Sequence, residues 1–308
     1  MKIVVTGGAG FIASHIVDAY IERGHEVHII DDFSTGREEN VNPKATAHHL
    51  DIAERDAAAL VGKIKPDVLN HHAAQMDLRR SVEDPLLDAR INIMGLVNLL
   101  EAAKDCGVKK VLFASSGGAI YGDKKPIPAD ENHPTEPMSP YGVSKKTGEL
   151  YLAYYQAAFG IPFIALRYSN VYGPRQSSKG EAGVVAIFIA QLRAGKSPII
   201  NGDGKQTRDY VFVSDVVRAN VAALESDYSG PMNVGTGKET DVVTICELLR
   251  HGMNSNIPPV HGPPKLGEQR RSCLDTSMAK RVLGWKAEVS LQTGLEKTIA
   301  YCHDTTNS

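Results

Sequence analysis

Tyr141 and Lys145 stand four residues apart in the run Ser139-Pro140-Tyr141-Gly142-Val143-Ser144-Lys145. Ser139 suits a helix N-cap and Pro140 a first helical residue. Tyr141 and Lys145 then share one helix face, about one turn apart. A phenol with a pKa of about 10 is a poor base at neutral pH. A nearby ammonium, a helix N-terminus and a nicotinamide cation would each favour its phenolate. Such a pair can move a proton off an alcohol or sugar hydroxyl. The pattern is cheap by itself: with 11 tyrosines in the chain, about 0.7 matches are expected by chance.

Context raises its value. About 130 residues earlier, Lys2–Thr6 runs straight into Gly7-Gly8-Ala9-Gly10-Phe11-Ile12-Ala13. Gly7 allows a tight turn, Gly10 lets the backbone approach a phosphate, and Ala13 allows close helix packing. The helix that follows aims free N–H groups at a pyrophosphate. Asp31 falls 21 residues after Gly10, where an acid can hold a ribose diol. An acid there repels a 2′-phosphate, so NAD is expected rather than NADP, with Arg37 as the nearby counter-argument. The run Val111–Ser115 leads into Ser116-Gly117-Gly118, where Ser116 could bond the same substrate oxygen as Tyr141. Together these residues point to redox chemistry at a carbinol carbon.

Both motifs need a rigid frame. Candidate strands are Lys2–Thr6, Glu26–Asp31, Thr46–His49, Val68–His71, Val111–Ser115 and Phe163–Tyr168, alternating with helical patterns at Gly10–Glu22, Ala53–Val61, Leu87–Cys106 and Pro140–Phe159. Val-, Ile- and Leu-rich runs between helices predict an α/β fold with a doubly wound parallel sheet. Residues 1–172 form the expected dinucleotide-binding domain, with returning segments near 208–240, and 173–308 mostly a smaller α/β substrate lobe. There Pro174 to Gly180 reads as a loop, and Val184–Arg193, Thr244–Arg250 and Ser277–Leu283 as helices. Val211–Val213 and Met232–Val234 are expected to return to the sheet.

The 308 residues carry a net charge of -2, so nothing in the balance calls for nucleic acid or an acidic membrane. Cys106, Cys246, Cys273 and Cys302 are far apart, which predicts reduced thiols rather than a disulfide framework or zinc site. Adjacent histidines on a strand, His48-His49 and His71-His72, point to opposite faces and do not share an ion. No metal is expected. The first strand starts at residue 2 and leaves no room for a signal peptide, and no run reaches 18 apolar residues. A cytoplasmic location is therefore expected.

The chain resembles the extended short-chain dehydrogenase/reductase superfamily, and within it the nucleotide-sugar epimerases of the UDP-galactose 4-epimerase type. The resemblance rests on VVTGGAGFIAS (Val4–Ser14), HHAAQ (His71–Gln75), FASSGGAIYG (Phe113–Gly122), SPYGVSK (Ser139–Lys145), LRYSNVYGPRQ (Leu166–Gln176), GEAGVVAIF (Gly180–Phe188), RDYVFVSDVV (Arg208–Val217) and MNVGTG (Met232–Gly237). It implies a catalytic set of Tyr141, Lys145 and Ser116. It implies that Gly7, Gly10, Phe11 and Ile12 face the NAD pyrophosphate, that Asp31 holds the adenosine ribose, and that Asp51 and Ile52 line the adenine pocket. Ala73, Ala74 and Gln75 would follow the pyrophosphate and ribose. Asn92, Ser115 and Tyr168 would support the nicotinamide side, with Tyr141 and Lys145.

For the substrate, the resemblance implies that Asn170 and Arg208 contact the UDP phosphates and that Val184 lies against uracil. Lys265 and Glu268 stand where the family often has Arg and Asp, and Arg270 or Arg271 could compensate. Ser272 replaces a bulky Tyr of some members and leaves room for an N-acetyl group. The implied activity is UDP-glucose/UDP-galactose 4-epimerisation through a 4-keto sugar with retained NAD, extended to UDP-N-acetylhexosamines. The alternatives are a 4,6-dehydratase, a UDP-glucuronate decarboxylase and a non-catalytic NAD sensor. Gly117-Gly118 occupies the place of the dehydratase acid pair. A homodimer through a four-helix bundle of Leu87–Cys106 and Pro140–Phe159 is also implied.

Overall fold

The structure is a computed structural model that describes residues 1–123, 126–178, 183–265 and 269–304. Its strands are β1 (Lys2–Thr6), β2 (Glu26–Asp31), β3 (Thr46–His49), β4 (Val68–His71), β5 (Lys110–Ser116), β6 (Phe163–Tyr168), β7 (Asn170–Tyr172), β8 (Ile199–Asn201), β9 (Thr207–Phe212), β10 (Gly230–Val234), β11 (Glu239–Asp241) and β12 (Val260–Gly262). Seven of them form one sheet in the order β10-β6-β5-β4-β1-β2-β3, and every pairing is parallel.

Side chains alternate across this sheet, so each strand feeds two cores. Ile3, Val5, Ile29 and Leu112 pack on one face with Ile16, Val17 and Tyr20 of the helix Phe11–Glu22 and with Val216 and Ala219 of the helix Val213–Glu225. Val4, Ile30, Val111 and Phe113 pack on the other, against the helices Arg55–Ile64, Gly95–Cys106 and Pro140–Phe159. Burial on both faces is what the unbroken apolar runs of β1, β5 and β6 demand.

The strand order reverses at β1, which lies between β2 and β4. Ligands of such sheets lie in the crevice beyond the carboxyl ends of the strands at that reversal. The glycine turn leaves β1 there.

The expected helix Leu87–Cys106 starts earlier, as Pro85–Ala89, and passes through a π turn at Arg90–Met94 before Gly95–Cys106. Met232–Val234 does enter the large sheet, beside β6. Val211–Val213 does not. It belongs to β9 and to the start of the next helix, and β9 lies in a three-stranded sheet of order β11-β9-β7. Phe212 and Val213 face a third core with Tyr172, Phe188, Ile245 and Leu295, while Val211 packs into a core of the large sheet. A short apolar run reads alike for either sheet, because the choice of partner is made by distant residues. The expected loop Pro174 to Gly180 lies partly outside the described residues.

Candidate active site

The chain turns at Gly7 with φ of +68°, and a Cβ there would stand 2.8 Å from the Ala73 amide nitrogen. Handedness and space both require glycine. Gly10 caps the helix Phe11–Glu22 without any side-chain cap bond. The first-turn N–H groups, from Phe11 and Ile12 onward, are thus left to an anion. Gly7→Ala is expected to cost about 1–2 kcal/mol in backbone strain alone, plus the clash, and to reduce the NAD retained on purification. Unchanged bound-nucleotide absorbance and an unchanged Tm would refute this.

Asp31 ends β2 and is buried. Its two oxygens accept the Ala9 and Phe33 amides, each at 2.9 Å. Burial raises its pKa, and those two amides oppose the shift. The Arg37 guanidinium pairs with Glu39 at 2.9 Å. Asp51 accepts from the Ala53 amide at 2.8 Å and from Arg90 at 2.9 Å, while Ile52 is core.

At the end of β4, the Thr6 hydroxyl accepts the amides of His72 and Ala73 at 3.1 Å each. This fixes the half-buried Ala73 and Ala74 along the crevice. Asn92 sits in the π turn, a deformation common at functional sites. It clamps Gln75: Gln75 N donates to Asn92 Oδ1 at 2.8 Å, and Asn92 Nδ2 donates to the Gln75 carbonyl at 2.9 Å. The Tyr168 hydroxyl, at the end of β6, pairs with His72 at 3.0 Å and accepts from Asn220 at 2.8 Å.

The Tyr141 helix is placed by its first residues. Ser139 Oγ accepts the Gly142 amide at 3.1 Å, and Pro140 follows as the first helical residue. A Cβ at Gly142 would lie 2.5 Å from the Ala119 carbonyl oxygen, so only glycine lets the helix press onto the turn after β5. That approach brings Tyr141 into hydrogen bonding with Ser116. Lys145 is buried, donates to the Ala114 carbonyl at 2.8 Å, and holds Nζ 5.7 Å from the centre of the Tyr141 ring.

Electrostatics depart from the expectation. Burial pushes the Tyr141 phenol up to about 12, against the Ser116 hydrogen bond that lowers it and with the Asp88 charge that raises it further. Burial also brings the Lys145 ammonium down to about 8, partly offset by Asp88. Without the cofactor the protein's own groups therefore do not favour the phenolate: desolvation of the buried phenol is the largest influence on it. Ser115 faces away from Ser116, as strand alternation requires. Its hydroxyl donates to Glu149 at 2.7 Å. Glu149 and its partner Arg167 were not anticipated, nor was Asp88. The signals available were Glu149 and Lys145 one turn apart on a helix, and Asp88 one turn before Asn92.

On the opposite side, Asn170 opens β7 and is exposed. Its Oδ1 would be 4.0 Å from a Cβ at Gly118, which puts it beside the Ser116 turn. Arg208, on β9, is half-buried and donates to the Thr207 carbonyl at 2.8 Å. Next to it, Asp209 accepts from Thr236 Oγ1 at 2.6 Å, the Thr236 amide at 2.8 Å and the Gly237 amide at 3.1 Å. Those bonds tie the MNVGTG segment to β9. Val184 starts the helix Val184–Arg193. Ser272 is buried, and its amide donates to the Thr207 carbonyl at 3.2 Å. Lys265 is exposed, and Glu268 lies outside the described residues, as do Gly180, Glu181 and Ala182. Arg270 forks onto Asp203 with both bonds at 2.8 Å, and Arg271 onto Glu239. Both guanidinium forks thus engage carboxylates.

Among the described residues no group of three His, Cys, Asp or Glu side chains could hold a metal ion. No described helix is long and apolar enough to cross a membrane.

A model of the NAD dependent epimerase/dehydratase family matches residues 3–235. The UDP-glucose 4-epimerase of Mycolicibacterium smegmatis is 43% identical over 307 residues, covering 98% of this chain and 98% of that one. A crystal structure of UDP-glucose 4-epimerase with UDP-glucose from Thermotoga maritima superposes with a TM-score of 0.98 at 44% identity, covering 99% of this chain and 100% of that one. That of the Thermus thermophilus UDP-glucose 4-epimerase in complex with NAD gives 0.94 at 39% identity, covering 98% and 99%.

Proposed function

The chain belongs to the NAD-dependent epimerase/dehydratase family, and from that premise we propose that it is a UDP-glucose 4-epimerase. The observation that carries the reading is Tyr141, held against Ser116 at the carboxyl end of β5 and within a turn of the buried Lys145. The uncapped helix start, the left-handed Gly7 and the buried Asp31 suit NAD. Asp31, with Arg37 already paired to Glu39, disfavours a 2′-phosphate.

Tyr141 takes the proton of the sugar 4-hydroxyl as C4 gives up hydride. Ser116 holds the same oxygen. Bound NAD, held by Gly7, Gly10 and Asp31, would supply the hydride acceptor and donor for C4 and would be retained rather than consumed. Tyr141 gives its proton back once the 4-keto sugar presents its other face. Lys145 supplies the positive charge that the phenolate needs. Asn170, Val184 and Arg208 hold UDP, Arg208 through a planar fork suited to phosphate. Ser272 admits an N-acetylated sugar.

A dehydratase reading lacks its acids: residues 117 and 118 are glycines, and no carboxylate stands in that turn. Purified protein is expected to interconvert UDP-glucose and UDP-galactose without added reductant, and to act on UDP-N-acetylglucosamine. Absence of both reactions in a nucleotide-sugar panel would sink the reading, and a 4-keto-6-deoxy product would replace it. We also infer a homodimer. Val82 on the helix Leu78–Glu83, Leu86 and Met94 on the stretch from Pro85, and Val143, Leu150 and Tyr154 on the Tyr141 helix are exposed apolar side chains. A monomeric mass by light scattering would overturn that.

A further inference from the structure

Asp88 is fully buried, at 0% exposure, and lies one turn before Asn92. Its carboxylate accepts three side-chain hydrogen bonds: from Ser144 Oγ at 2.5 Å, Asn92 Nδ2 at 2.9 Å and Gln75 Nε2 at 3.1 Å. The donors come from three segments. Gln75 follows β4, Asn92 sits in the π turn, and Ser144 lies on the Tyr141 helix between Tyr141 and Lys145. None of the donors is a cation. Lys145 spends its own hydrogen bond on the Ala114 carbonyl. A buried carboxylate held only by neutral donors is costly, and a fold that needed only packing here could use an apolar side chain.

We propose that Asp88 is a positioning residue for the proton transfer: it locks the Gln75 and Asn92 segment to the helix bearing Tyr141 and Lys145, and its carboxylate sets the pH range in which that pair works. This rests on Tyr141 being the proton-transfer group.

The charge acts in one direction on both partners. It favours the protonated phenol of Tyr141 and the protonated ammonium of Lys145. Among the described residues, the other titratable groups around the pair are neutral or ion-paired. His71 and His72 at the end of β4 are held neutral, each lowered to about 3 by burial first and then by Lys145. Glu149 is paired with Arg167 at 2.7 Å.

Removing the charge while keeping the shape should therefore move both limbs of the pH–kcat profile to lower pH. Asp88→Asn is expected to shift them by about one unit and to reduce kcat at pH 7 more than it changes KM. Ser144→Ala removes the tie but keeps the charge, and is expected to lower kcat with the limbs in place. Lowered kcat with unmoved limbs in Asp88→Asn would overturn the proposal in favour of a structural role. So would a shift in Ser144→Ala as large as that in Asp88→Asn. Asp88→Ser is the second neutral variant, and failure of both neutral variants to fold with NAD present would also favour the structural role. Absence of turnover in the wild-type protein would instead sink the underlying epimerase reading.

Discussion

Tyr141→Phe is expected to lower kcat by about 10²–10⁴-fold while bound NAD and UDP-sugar affinity stay near wild type. The substitution removes one oxygen. It keeps the ring over which Lys145 lies at 5.7 Å, and it touches neither the Ser139 cap nor the close approach at Gly142. The fold should therefore survive and the loss should be chemical. The loss is large because the neighbouring described groups do not replace it: Ser116 has no comparable acidity, and His71 and His72 are tied to Thr6 and Tyr168. Burial and the Asp88 charge, less the Ser116 hydrogen bond, leave the phenol at about 12. The cost of ionising it must be met by Lys145 and by the positive nicotinamide that arrives with the cofactor. Steady-state kinetics on UDP-galactose, with bound nucleotide measured on the same sample, decides it. A kcat within about tenfold of wild type would remove Tyr141 from the chemistry.

Arg167→Leu should produce the largest loss of stability, about 3–5 kcal/mol. Arg167 donates to both Glu149 oxygens, through Nε at 2.9 Å and through its terminal nitrogen at 2.7 Å. It also donates to the Tyr121 hydroxyl at 2.7 Å and to the Glu131 carbonyl at 3.1 Å. Arg167 is 2% exposed and Glu149 6%. Losing the cation leaves a buried carboxylate with the Ser115 hydroxyl as its close donor and the Lys146 ammonium at 3.6 Å. Replacing Glu149 by Leu as well removes the stranded charge, so the double variant should regain part of the loss. Urea denaturation of the three proteins measures it. A single variant within about 1 kcal/mol of wild type would show that the pair contributes little.

Much of this was legible in the sequence for a physical reason. β1, β5 and β6 are buried along nearly their whole length, so their apolar runs are continuous, and helical stretches stand between them. The Tyr141 helix announces both its ends, with Ser139-Pro140 at one and Gly160 in a left-handed conformation at the other. The sheet that takes β9 was not legible, because three apolar residues say that a strand is buried but not against what. The helix Val213–Glu225 was missed because it follows β9 without an intervening residue. Asp88 could not be singled out. One aspartate on a helix is ordinarily a solvated charge, and only the packing of three separate segments around it makes it otherwise. The desolvation of Tyr141 was not legible either, because its spacing to Lys145 shows in the sequence while its burial does not.

The place of β10 has a consequence for how the chain acquires its structure. The seven-stranded sheet is completed by residues 230–234, which pair with β6 at 163–168. A nascent chain that has emerged only through Tyr172 carries six of the seven strands and an open β6 edge. Unpaired edges invite pairing between chains, and parallel closure across so long a sequence separation is slow. The nucleotide-binding half therefore depends on synthesis well beyond its own apparent end, and a fragment stopped there should aggregate where the whole chain folds.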